Sequence, residues 1–95
     1  MVFDVSKIVG IDEFTMRKEP GRELYLKNGR AFLILNPHTI EMRCDLRLSQ
    51  NLQEKYESVM ESRYFGRGGI EVVPSEQLDQ NELEDLVRLS YNLTE

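Results

Sequence analysis

Ninety-five residues, 40% apolar and 31% charged, with a net charge of −5, describe a single domain with room for one core. No apolar run approaches the roughly 18 residues of a membrane helix, and residues 1–10 lack the basic and apolar regions of a secretory signal. Cys44 is the only cysteine, which excludes an internal disulfide and fits a reducing cytoplasm. The acidic balance argues against a nucleic-acid binder of the plain electrostatic kind. It is unevenly spread, however. Residues 1–44 carry seven Lys/Arg against six Asp/Glu, and residues 45–95 carry five against eleven.

In chain order, residues 2–9 read as a short helix with Asp4 as a cap. Residues 11–18 read as a strand, with Phe14 and Met16 on one side and Glu13, Thr15 and Arg17 on the other. Glu19-Pro20-Gly21 is a turn, since proline presets its first position and glycine accepts the positive φ that follows. Asn28-Gly29 between two strand-like runs predicts a type I′ hairpin. A two-residue loop then sets Lys27 opposite Arg30, Leu26 opposite Ala31, Tyr25 opposite Phe32 and Leu24 opposite Leu33. A turn at residues 36–39 leads into a strand over 40–44, with Leu33 opposite Met42 and Phe32 opposite Arg43. This register gives a core face of Leu24, Leu26, Ala31, Leu33, Leu35, Ile40, Met42 and Cys44. Tyr25, Lys27, Arg30, Phe32, Ile34, Glu41 and Arg43 fall on the outer face.

Asp45 caps a helix running to about residue 56, with Leu48, Leu52, Tyr56 and Val59 as its apolar stripe. Residues 62–69 read as a glycine-containing loop, and residues 70–73 as a short strand closed by Pro74. Asp79, with Glu82 three residues on, opens a last helix whose inner face is Leu83, Leu86, Val87, Ser90 and Tyr91. The order β-β-β-β-α-β-α implies an α+β domain: an antiparallel sheet of about five strands with helices packed on one face.

The stretch IEMRCDLRLSQNLQEKYESVMESRYFGRGGIEVV is similar to the central pattern of MmcQ/YjbR-like domains. There, a strand ending near a basic residue leads into a helix rich in Leu and Glu. The closing ELEDLVRLSYNL resembles that family's final helix with its Ser-Tyr pair, here Ser90 and Tyr91. NGRAFLIL resembles its Gly-Lys-x-Phe strand, with Arg30 where Lys is usual. The likeness covers roughly residues 24–93. The chain differs in lacking tryptophan and in its loop Tyr64-Phe65-Gly66-Arg67-Gly68-Gly69, where the family usually carries His, Asn and Trp. It also lacks most of the usual N-terminal helix. The resemblance implies a compact sandwich like that of secretion chaperones, a label of DNA-binding, and no catalytic residues.

His38 in a turn reads as solvated, and Cys44 as a small buried hydrophobe whose reactive alternative would draw on Arg43. The two do not form a metal-ligand spacing, and no cofactor motif is present. A hydrolase or redox enzyme would need a constellation that these residues do not supply. Two surfaces remain. On the outer face, Tyr25 and Phe32 would lie among Lys27, Arg30 and Arg43, an aromatic and cationic mixture suited to base stacking with phosphate contact. It suits a protein partner equally, since Tyr, Phe and Arg are enriched at interfaces. The bland alternative is a cross-strand aromatic pair whose cations are neutralised by Glu23, Glu41 or Glu71. In the loop, Arg63 and Arg67 with two aromatics and three glycines form a second contact candidate. The expected function is a non-enzymatic binding module for DNA, or alternatively a protein-interaction or homodimerising module, with no membrane, metal or cofactor involved.

Overall fold

The structure, a computed structural model, describes residues 4–75 and 77–95. It consists of a six-stranded antiparallel sheet with two helices on one face, the α+β class expected. The strands are β1 (Thr15–Glu19), β2 (Arg22–Lys27), β3 (Arg30–Leu35), β4 (Ile40–Arg43), β5 (Val59–Ser62) and β6 (Gly66–Val72), arranged in the order β1-β2-β3-β4-β6-β5. Helix α1 (Leu46–Lys55) lies over β5 and β6, and α2 (Gln80–Leu93) lies over β3 and β4.

The local signals explain most of these elements. Gly21 (φ +81°) completes the β1–β2 turn, and Asn28 (φ +52°) with Gly29 (φ +81°) makes the β2–β3 turn, both conformations that other L-residues resist. Asp45 accepts from the Leu48 amide and Asp79 from the Glu82 amide, so each carboxylate satisfies a donor that the first helical turn leaves free. Leu83, Val87, Ser90 and Tyr91 are the buried stripe of α2, as their spacing requires.

Several expectations need correction. The first helix reduces to one 3₁₀ turn, Val5–Lys7, capped by Asp4; Val2 and Phe3 lie outside the described residues. The strand expected over 11–18 is confined to Thr15–Glu19. The loop expected over 62–69 narrows to a turn at residues 63–65. A strand, β5, takes up Val59 and Ser62, so Val59 belongs to the sheet, and β6 starts at Gly66. The glycines had hidden the first half of β6, although Gly69 is required there. A Cβ on it would stand 2.6 Å from both the Met42 carbonyl oxygen and the Phe65 Cβ.

The largest correction concerns the β2–β3 register. Lys27↔Arg30 and Leu26↔Ala31 pair as the turn dictates, but the next pairs are Tyr25↔Leu33 and Leu24↔Ile34. Phe32 is an extra residue, a β-bulge. Instead of facing Tyr25 or Arg43, it turns toward the helices, where its ring meets Tyr91 edge-on at 5.0 Å and is fully buried. Burying a phenylalanine contributes about 2 kcal/mol, which offsets the broken ladder.

The bulge exchanges residues between faces. The helix side gathers Tyr25, Phe32, Leu33, Ile40, Met42 and Cys44 with Val59, Ile70, Val72, Leu83, Val87 and Tyr91 in one core. Leu24, Ala31 and Ile34 form a separate small cluster on the open side, with Leu26 and Phe65 packed against it.

The candidate site on the open sheet face

No described helix covers this second face. The β5–β6 turn, residues 63–65, folds across it and is held down by two buried carboxylates that face each other across β4 and β6. Glu41 accepts hydrogen bonds from Asn36 Nδ2 at 2.7 Å, Ser62 Oγ at 2.8 Å and the Tyr64 amide at 2.9 Å. Glu71 accepts from Thr39 Oγ1 at 2.7 Å and from Arg63 Nε at 3.1 Å and Nη2 at 2.8 Å. Ser62 Oγ in turn receives the Phe65 amide, and Asn36 Nδ2 also donates to Thr39 Oγ1. Burial pushes the Glu71 carboxyl upward, but the Arg63 and Thr39 hydrogen bonds and the Arg63 charge outweigh it and hold it below the usual range. Both carboxylates sit at polar positions of otherwise apolar strands, Ile40-Glu41-Met42 and Ile70-Glu71-Val72. This alternation was legible, but Glu71 pairs with Arg63 and not with Lys27, Arg30 or Arg43, the cations the bland reading assigned to it.

The anchored turn presents a row of alternating cations and rings. The Arg22 guanidinium lies 5.4 Å from the Tyr64 ring centre, Tyr64 meets Phe65 edge-on at 4.9 Å, and the Arg43 guanidinium lies 4.9 Å from the Phe65 ring. Arg22 is further fixed by Glu19 at 2.9 Å, a carboxylate shared with Arg17 at 3.2 Å. Arg43 is fixed by donating to the Ala31 carbonyl at 2.8 Å. Tyr64 keeps 45% of its surface exposed, enough for a further group to stack on it.

The expected site residues divide accordingly. Arg43 and Arg63 lie on this open face; Arg67 is exposed in β6 beside the turn. Arg30 is exposed at the β2–β3 tip. Tyr25 and Phe32 do not form an outer aromatic pair, because the bulge directs both to the helix side; Tyr25 is half-buried against Phe14 at 5.6 Å. Lys27 is on that side too, donating to the Tyr91 carbonyl at 3.0 Å and lying 4.4 Å from the Tyr91 ring. Arg22 was not among the expected site residues, because its partner ring, Tyr64, is 42 residues away in the chain.

His38 is exposed, in a shallow groove between Pro37 and Pro74. Cys44 is buried, and its thiol is pushed up to about 11 by that burial and then by the Asp45 charge, so it is a poor nucleophile in the folded protein. Among the described residues, no helix is long and apolar enough to cross a membrane. Comparison of the chain with protein-family models, with curated proteins and with solved structures finds no match.

Proposed function

We propose that this domain is a binding module for nucleic acid that engages a single strand across the open sheet face. The observation that carries the reading is the row Arg22, Tyr64, Phe65 and Arg43, held rigid by the Glu41 and Glu71 network. An exposed ring offers a face to an unpaired base, and flanking guanidinia offer charge to the backbone. Helices on one face and aromatics on the other follow the physical logic of sheet-based single-strand recognition. The DNA-binding label implied by the resemblance of residues 24–93 to MmcQ/YjbR-like domains points the same way, but no family model matches the chain and the reading stands on the row alone.

The net charge of −5 does not oppose it once its distribution is considered. Residues 15–43, most of the sheet, hold six Lys/Arg and three Glu. Residues 79–95, which include α2, hold five acidic residues and one arginine on the far side of the core. An anionic strand on the open face is therefore separated from the acidic helix by the thickness of the domain.

Fluorescence anisotropy with a labelled mixed-sequence single strand and its duplex tests this. The single strand binds more tightly than the duplex at low salt, and both weaken as salt rises. Tyr64→Ala weakens single-strand binding about tenfold, in line with ~1–3 kcal/mol per stacked base. Absence of binding at low salt would refute the reading.

A second reading, a protein partner or a second copy of the chain, is favoured by the exposed Tyr64 ring together with the partly exposed Phe65 and Leu26 on the same face. It predicts association that survives moderate salt, which light scattering on the eluting protein would detect as a dimer.

A further inference from the structure

Beside the row lies a surface cavity of about 280 Å³ lined by Arg22, Asn36, Glu41, Arg63 and Tyr64. We infer that this cavity is a seat for one phosphodiester group, held between the Arg22 and Arg63 guanidinia. The inference rests on the nucleic-acid reading and names the ligand chemistry of one point on that face.

Both arginines are fixed before any ligand arrives. Arg63 is locked by its two hydrogen bonds to Glu71, whose side chain is 3% exposed, while the Arg63 side chain itself remains 76% exposed. Arg22 is held by Glu19 through Nε and by the Tyr64 ring. Among the described residues, Arg22 Nη1 and Nη2 and Arg63 Nη1 have no hydrogen-bond acceptor. Guanidinia of fixed orientation with spare N–H groups match the geometry of phosphate oxygens. Holding them in advance removes the side-chain ordering that binding would otherwise require.

The carboxylates decide which phosphate. Glu41 lines the cavity, Glu71 stands behind Arg63, and Glu19 stands behind Arg22 and is shared with Arg17, so three guanidinia meet three carboxylates and the local charge is close to balanced. A doubly charged terminal phosphate would meet Glu41 with its second charge. A singly charged diester brings one negative charge to two guanidinia and leaves the Glu41 hydrogen bonds intact.

The test titrates dimethyl phosphate, and separately inorganic phosphate at pH 8, into the whole chain. The arginine Nε–H resonances are followed by nitrogen-15 correlation spectra. Saturable shifts confined to Arg22 and Arg63, at least as tight for the diester as for the dianion, are expected. In Arg22→Gln, a surface change, the Arg63 shift should weaken at least fivefold; in Arg63→Lys, the Arg22 shift should weaken similarly. Linear shifts shared by all arginines would overturn the inference, as would saturation at Arg43 or Arg67 alone or a dianion binding tenfold tighter. The same variants in the anisotropy assay separate the two ideas. Single-strand binding without diester saturation overturns the cavity and keeps the nucleic-acid reading. Diester saturation without strand binding keeps the cavity and overturns that reading.

Discussion

Ser90 shows how much one hydroxyl can decide. The β3–β4 ladder ends at Leu33↔Met42, and the bulge leaves backbone groups beyond it without ladder partners. Ser90 Oγ, fully buried on α2, accepts from the Arg43 amide at 2.7 Å and donates to the Phe32 carbonyl at 2.6 Å. Arg43 caps the adjacent Ala31 carbonyl from the opposite face. Ser90→Ala strands a buried donor and acceptor, so it should cost about 1–3 kcal/mol, read as a lower urea midpoint. A change within experimental error would mean that water replaces the hydroxyl. Glu71 gives a pH prediction. Its carboxyl is depressed from 4.5, so its contribution is complete above that value and is lost as pH falls through the lower folded value. The stability gap between the native chain and Glu71→Gln should therefore shrink as pH falls from about 5 toward 3. A gap constant over that range would refute the assignment of the network to an ionised Glu71.

At the scale of elements, the helices and turns were legible and the strand registers only in part. Caps, turn glycines and the α2 stripe act within a few residues, so their meaning survives without tertiary context. The Asn28-Gly29 turn correctly sets its first two pairs, and the error begins two residues further on. There the apolar run Ala31-Phe32-Leu33-Ile34 has no period of two. Either register buries it, and pattern cannot choose. The β5–β6 hairpin was missed for other reasons: three glycines concealed the first half of β6, of which only the stretch from residue 70 was read as strand, and Val59 of β5 was assigned to the helix stripe. Gly69 is small because β4 and Phe65 close upon it. Gly69→Ala must push against the Met42 carbonyl, and overpacking of this kind costs about 1–3 kcal/mol. The turn carrying Tyr64 and Phe65 should be displaced with it. A thermal melt checks the first effect and single-strand affinity the second; an unchanged affinity would show that the row does not depend on this packing.

For the whole molecule, the consequence is polarity. Two helices cover one side of the sheet, so every charge on α2 faces away from the row on the other side. Binding at the open face should therefore respond to its own arginines and not to the net charge. On a single strand, the slope of log affinity against log salt is about −0.7 for each phosphate neutralised. Arg22→Ala should make that slope shallower by about 0.7, while Glu84→Gln on α2 should leave it unchanged. An equal response to both substitutions would place binding in the net charge of the chain instead of in a site.

The amino-acid sequence by itself determined the fold class, the two helices and their caps, the turns at Gly21 and Asn28-Gly29, and the burial of Cys44. These follow from backbone conformation and from periodicities that act over a few residues. Tertiary structure alone decided the bulge at Phe32, the removal of Tyr25 and Phe32 from the outer face, and the meeting of Arg22 with Tyr64. Each of these depends on contacts between residues far apart in the chain. Phe32 turns inward because Phe14 and Tyr91 are there to receive its ring, and no local pattern in residues 30–35 carries that information.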